Sequence, residues 1–186
     1  MLVDDFLPTY DVSDAVAVVV DADVPTTWAA LMEVDLIDLL HGETPPSAPE
    51  RLVLRDTAGV AGGNWILLGE RSDDEIALGL AGKFWRPVIE YAQVAPADFR
   101  DFTEPGYAKT VYSLSVRPLD GGSTLLSAVM RTATTDEHAR RWFRRYWTFG
   151  VGSGAHVLAA GLAEAAPRCR RSLDPSTSRR NPCLMP

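Results

Sequence analysis

Few side chains in this sequence have the type and spacing to do chemistry. The three histidines, His41, His138 and His156, lie far apart and none has metal-ligand spacing. His138 falls in the first turn of a predicted helix and reads as exposed, and His156 reads as a packed or solvent-facing ring rather than a catalytic one. Gly152-Ser-Gly154 lacks the strand-turn-helix setting that exposes a nucleophilic serine, and the chain has no Gly-x-Ser-x-Gly elbow. Gly59-Val-Ala-Gly-Gly63 has neither the lysine and spacing of a P-loop nor the dinucleotide fingerprint, so it reads as a glycine turn. Asp73-Asp-Glu75 sits between two predicted strands and reads as a solvated turn before a calcium loop. No metal site and no cofactor are expected.

Tyrosines remain. Tyr112 and Tyr146 each fall on a predicted inward face, where a phenol must find a partner in the protein, in water or in a ligand. Trp85 with Arg86, and Tyr91 with Glu90, could bring aromatic and polar groups to a cavity mouth, with core packing and surface pairing as the plainer reading. None of these forms a matched acid–base pair, so the pattern favours binding of a small molecule over catalysis.

Positioning these groups requires elements. In Thr134–Phe149 four arginines (Arg140, Arg141, Arg144, Arg145) alternate in pairs with four aromatics (Trp142, Phe143, Tyr146, Trp147). At about 100° per residue the two sets fall on opposite sides of a helix. Thr134 followed by Glu137 reads as its capping box. Beyond it Gly150, Gly152 and Gly154 separate this stripe from Val151, Leu158 and Leu162, rotated by about 120°, which predicts a kink or break. A straight helix buried on two faces by a second copy, hence a homodimer, is the alternative.

Upstream, Ser13–Asp21 reads as a buried strand. Asp23-Val-Pro opens a helix carrying Trp28, Leu31 and Met32, and a second short helix is expected over Leu36–Leu40. Strands are expected at Arg51–Arg55, Asn64–Arg71, Glu75–Leu80, Val88–Val94, Ala108–Arg117 and Ser123–Ala133, the last two joined by the turn Pro118–Gly122. Thr110, Tyr112, Leu114 and Val116 share one face, and Lys109, Ser113, Ser115 and Arg117 the other, the pattern of an antiparallel sheet with one wet face. The order predicts an α+β fold with a curved antiparallel sheet wrapped around a long C-terminal helix, and two short helices after the first strand.

Composition sets limits. The chain has 186 residues, 46% hydrophobic and 23% charged, as expected of one soluble domain over residues 1–166. Its longest apolar run, Ala15–Val20, is too short to span a bilayer, and no basic stretch precedes an apolar core near the N-terminus, so the expected location is cytoplasmic. Residues 167–186 hold five arginines against one aspartate, net +4, which leaves −11 on the rest of a chain of net charge −7. So acidic a body argues against a nucleic-acid binder. Cys169 and Cys183 both fall in that basic tail, without a Cys-x-x-Cys motif, and are expected to be free thiols.

The order of elements is similar to the helix-grip fold of the START-like (SRPBCC) superfamily, which includes polyketide cyclases and lipid-transfer domains. Leu80-Ala-Gly-Lys-Phe-Trp-Arg-Pro87, Phe99-Arg-Asp-Phe-Thr-Glu-Pro-Gly-Tyr-Ala-Lys109 and Ala139-Arg-Arg-Trp-Phe-Arg-Arg-Tyr-Trp147 resemble segments of an uncharacterised actinobacterial group within it. The resemblance covers roughly residues 8–166. It implies a hydrophobic or aromatic ligand, lipid- or polyketide-like, between sheet and C-terminal helix. A cyclase or dehydratase using cavity acid–base residues, and an interaction module with a collapsed cavity, are the alternatives. Where the group often reads Glu-Thr-Arg, this chain has Val129-Met-Arg131, so the resemblance implies that a cavity carboxylate is replaced by Met130. Alternation then turns Arg131 outward, though it stays a candidate. The candidate ligand contacts are Tyr112, Met130, Arg131, Tyr146, Trp147, Gly150 and Gly154, the glycines because they leave volume for a ligand.

Residues 167–186 place Pro167, Pro175, Pro182 and Pro186 among arginines and serines with little to bury, which predicts a tail without regular structure. Limited trypsin digestion should remove it first and leave a body of unchanged melting temperature. A body that melts once trimmed would contradict that reading.

Overall fold

The computed structural model describes residues 1–34, 54 and 64–148. The described elements run α1 (Leu2–Phe6), β1 (Val12–Val20), α2 (Val24–Met32), β2 (Ile66–Arg71), β3 (Glu75–Lys83), β4 (Glu90–Tyr91), β5 (Ala108–Pro118), β6 (Thr124–Thr134) and α3 (Glu137–Tyr146). The strands form one open, antiparallel, six-stranded sheet in the order β1-β6-β5-β3-β2, with β4 also paired to β3. With α3 packed on the sheet, this is the α+β helix-grip arrangement expected from the order of elements. The expected helix at Leu36–Leu40, the break at Gly150–Gly154 and the tail 167–186 lie outside the described residues. So does the expected strand at Arg51–Arg55, apart from Leu54, which is buried in the core.

Turn chemistry sets the central hairpin. β5 and β6 are joined by a tight turn over Asp120–Gly122, in which Gly121 and Gly122 both take φ of 83°, a conformation that disfavours a side chain. Register then pairs Tyr112 with Met130 and Thr110 with Thr132. Asp23 caps α2 by accepting the Thr26 N–H at 3.0 Å, and Trp28 and Leu31 seal one end of the front face against Leu78, Leu114 and Leu126. Burying each such leucine contributes about 1.5–3 kcal/mol.

The face expected to be wet is covered except at Arg117, which stays exposed. Lys109, Ser113 and Ser115 are buried, under a second core built from Leu2, Val3, Leu7, Phe99 and Val111. Phe99 fits because Gly79 leaves room: a Cβ there would stand 2.8 Å from the Phe99 ring. The Lys109 ammonium donates to the carbonyls of Phe99 and Arg100, which satisfies it without a carboxylate. Glu75, expected in a solvated turn, is 0% exposed; its Oε1 accepts from Leu2 N–H at 2.8 Å and Ser113 Oγ at 2.5 Å. Only the turn residues before it, Asp73 and Asp74, remain at the surface, with Asp74 paired to Arg117.

β1 departs from its expected burial. It is an edge strand, and Ser13, Ala15, Ala17 and Val19 are exposed while the alternate residues face inward. At its start Asp11 joins three elements. Its Oδ2 accepts from Thr134 N–H (2.8 Å) and Oγ1 (2.6 Å), and its Oδ1 accepts from Arg140 Nε (2.8 Å) on α3.

Burial alone would raise the Asp11 carboxyl, but the Thr134 hydrogen bonds and the Arg140 guanidinium outweigh it and hold it below the usual range. Because the folded value is depressed, this contribution is complete above the unfolded value of about 3.9 and is lost as pH falls through the folded one. Asp11→Asn should cost about 2 kcal/mol at neutral pH. Denaturant unfolding should show the gap to wild type closing as the solution is acidified through that window; a gap of constant size would contradict the assignment.

Candidate functional site

A cavity of about 180 Å³ lies between the sheet and α3. Register builds its floor. Leu80, Thr110 and Thr132 form one row across β3, β5 and β6, and Tyr112 and Met130 contribute from the next. The Thr110 and Thr132 hydroxyls pair with each other at 2.8 Å, so both are satisfied in place.

α3 supplies the roof through Phe143, Tyr146 and Trp147, whose rings cluster with the Phe143 centroid 6.1 Å from Tyr146 and 5.8 Å from Trp147. Its start is fixed by Asp136, not by the expected Thr134 box. Asp136 accepts the N–H of Ala139 at 2.7 Å and of Gly106 at 2.5 Å. Thr134 is still in β6, and its hydroxyl is spent on Asp11. The arginine face is outward as expected, but Trp142 joins it: the ring is 45% exposed, with the Arg145 guanidinium 5.5 Å from its centroid.

The remaining wall comes from Trp65 and from Phe84, Ile89 and Tyr91 around the turn between β3 and β4. Trp65 packs against Tyr112 with centroids 5.4 Å apart. Three phenols therefore border one cavity: Tyr91, Tyr112 and Tyr146. Burial pushes Tyr112 far above the ordinary phenol range, with smaller contributions from Tyr146 and Tyr91, and burial also raises Tyr91 and Tyr146. Among the described residues no hydrogen-bond partner meets these three hydroxyls, and the lining contains no carboxylate, histidine, lysine or arginine.

Of the candidate contacts, Tyr112, Met130, Tyr146 and Trp147 come together at this cavity. Arg131 does not join them. It lies on the opposite face, where its guanidinium pairs with Asp4 at 2.8 Å, donates to the Leu7 carbonyl and stacks over Tyr10. Gly150 and Gly154 lie outside the described residues. Trp65, Leu80, Phe84, Ile89 and Thr132 were not singled out from sequence, and Thr110 was placed inward without a role. The one available signal was a threonine at an inward position on each of two neighbouring strands.

The threonine pair is testable by itself. Thr110→Val or Thr132→Val alone leaves one buried hydroxyl unpaired and should cost about 1–2 kcal/mol, whereas the double variant removes both polar groups at nearly constant volume and should recover most of it. Chemical denaturation of the three variants checks this. Additive losses would mean that the hydroxyls do not serve each other.

No family model matches the chain, and no curated protein matches it. Solved structures are similar at low identity. A hypothetical protein from Helicobacter pylori is 12% identical over 88% of this chain and 93% of its own, with a TM-score of 0.48. The Zhui aromatase/cyclase from Streptomyces sp. R1128 is 12% identical over 90% of this chain and 99% of its own, with a TM-score of 0.38. A protein from Arthrobacter aurescens is 15% identical over 92% of this chain and 98% of its own, with a TM-score of 0.41. Similarity at this level transfers no residue role, and what the cavity does must be argued from its own side chains.

Proposed function

We propose that this protein binds a neutral, hydrophobic or aromatic small molecule in the cavity between the sheet and α3, acting as a carrier or sensor in the cytoplasm rather than as an acid–base enzyme. The observation that supports this reading is the set of three phenols that meet no hydrogen-bond partner among the described residues, in a lining that is otherwise aromatic and aliphatic apart from the paired hydroxyls of Thr110 and Thr132. Phenols held protonated by burial are good donors and poor bases. They suit a ligand with a carbonyl, ether or hydroxyl oxygen. Without a cation or a carboxylate in the described lining, a charged ligand would lose its hydration with nothing to replace it. A polyketide-like cyclisation or dehydration needs a proton acceptor that these residues do not offer. An apolar cavity of about 150 Å³ takes up benzene. One of about 180 Å³ is suited to a one- or two-ring aromatic or an aliphatic molecule of similar size.

Titration of tryptophan emission with 2-naphthol and with naphthalene tests the proposal, since Trp65 and Trp147 border the cavity. Tyr112→Phe should weaken 2-naphthol about fivefold, one neutral hydrogen bond, and leave naphthalene unchanged. Affinity of the wild type should stay flat from about pH 5 to pH 8, because the raised phenols do not titrate there. Binding of neither probe would favour an interaction module, and turnover of a poly-ketone substrate would favour the enzyme.

A further inference from the structure

We propose that the outer face of α3 is a docking surface for an acidic helical segment of another protein. α3 roofs the cavity with one side only, through Phe143, Tyr146 and Trp147. Its other side carries His138, Arg141, Trp142, Arg144 and Arg145. All five are exposed, and none of them touches the cavity.

Two features set this face apart from an ordinary solvated helix surface. The first is unmatched charge. On the same helix Arg140 is neutralised twice, by Asp11 at 2.8 Å and by Glu137 at 2.9 Å. Elsewhere Arg71, Arg86, Arg117 and Arg131 each pair with a carboxylate. Arg141, Arg144 and Arg145 meet no carboxylate among the described residues, in a chain with 25 acidic residues against 18 basic ones. Only one other described arginine, Arg100, is unpaired in this way, and it lies behind the sheet, where its carbonyl accepts from Lys109. The second feature is an indole in water. Trp142 is 45% exposed, its ring edge-on to His138 with centroids 6.4 Å apart and the Arg145 guanidinium 5.5 Å from its centre. Trp and Arg are the residues that dominate interface energies, and a ring already held by its neighbours loses little freedom on docking.

Charge complementarity names the occupant. At about 100° per residue Arg141 and Arg145 form a row one turn long, with Arg144 on one side of it and Trp142 on the other. A helix with carboxylates at three- and four-residue spacing presents the matching row, and guanidinium–carboxylate pairs are the strong ones. An anionic bilayer fits less well. Lying on a bilayer takes a helix whose apolar face is free for lipid, and that face of α3 is spent on the sheet, where Phe143 is 2% exposed. A net charge of −7 also opposes approach to an anionic membrane. The chain's own residues 167–186, at net +4, cannot supply the carboxylates.

Fluorescence anisotropy of a labelled Leu-Glu-Glu-Ala repeat peptide, titrated with the full chain, tests the proposal. A Leu-Lys-Lys-Ala repeat and vesicles of phosphatidylcholine with phosphatidylserine are the controls. Wild type should bind the glutamate peptide, less tightly as salt is added, and neither control. Arg141→Glu and Arg145→Glu should each weaken binding about tenfold or more, and Trp142→Ala about tenfold. Arg100→Glu makes the same change in net charge behind the sheet and should stay within about twofold, because salt confines a surface charge to its neighbourhood. All four side chains are exposed, so the variants should melt with the wild type. No binding by the wild type overturns the proposal, as does an equal loss in Arg100→Glu, which would mark a response to net charge alone. Undiminished binding by Trp142→Ala overturns it too, and capture on the vesicles would assign the face to a membrane instead.

Discussion

Two carboxylates hold the helix over the sheet, and the cavity depends on where they hold it. Asp11 reaches from the start of β1 to the end of β6 and to Arg140 on α3, and Asp136 ties the first turn of α3 to Gly106 beside β5. Together they fix the helix at its N-terminal end. One helical turn further on, Phe143, Tyr146 and Trp147 project over the Thr110–Thr132 pair at a distance that leaves room for a molecule. If the helix were pinned only by apolar packing it could settle onto the floor, since nothing in a greasy contact fixes a gap. Directional bonds at its base keep the space.

Much of this arrangement is local in origin and was therefore legible. Alternation in β5 identified the inward face that carries Tyr112, and helical periodicity brought Tyr146 and Trp147 onto the sheet. The glycine turn at Asp120–Gly122 fixed a register that sets Met130 beside Tyr112. What escaped is non-local. Lys109, Ser113 and Ser115 read as a wet face because the residues that cover them, Leu2, Val3 and Phe99, come from other parts of the chain. Glu75 read as surface charge because its hydrogen-bond donors, a backbone N–H and a serine, come from distant segments, although the Arg71 guanidinium 3.6 Å away is close in sequence. The cap of α3 was misplaced by two residues because Thr134 has a stronger use in β6, one that requires Asp11 to be known as its neighbour.

The site itself divides along the same line. A cavity is the space that several elements fail to fill, and no single element encodes it. Tyr112 and Met130 were visible as inward residues. That Trp65 would close one side, and Ile89 another, depends on how loops return to the sheet. The chemical character of the cavity was more accessible than its shape: Tyr112, Tyr146 and Trp147 were candidates from sequence and border it, whereas the cation considered with them, Arg131, lies on the other face.

The second core has a consequence for how such a protein can change over generations. Phe99 over Gly79, with Leu2, Val3 and Val111, anchors the sheet from behind, while the cavity lining sits in front. β5 serves both, one residue in turn to each side. Substitutions at Tyr112, Met130 or Trp65 therefore reshape the cavity while the rear packing keeps the sheet assembled. The shape of the cavity can drift faster than the architecture, because the two are written on opposite faces of the same strands.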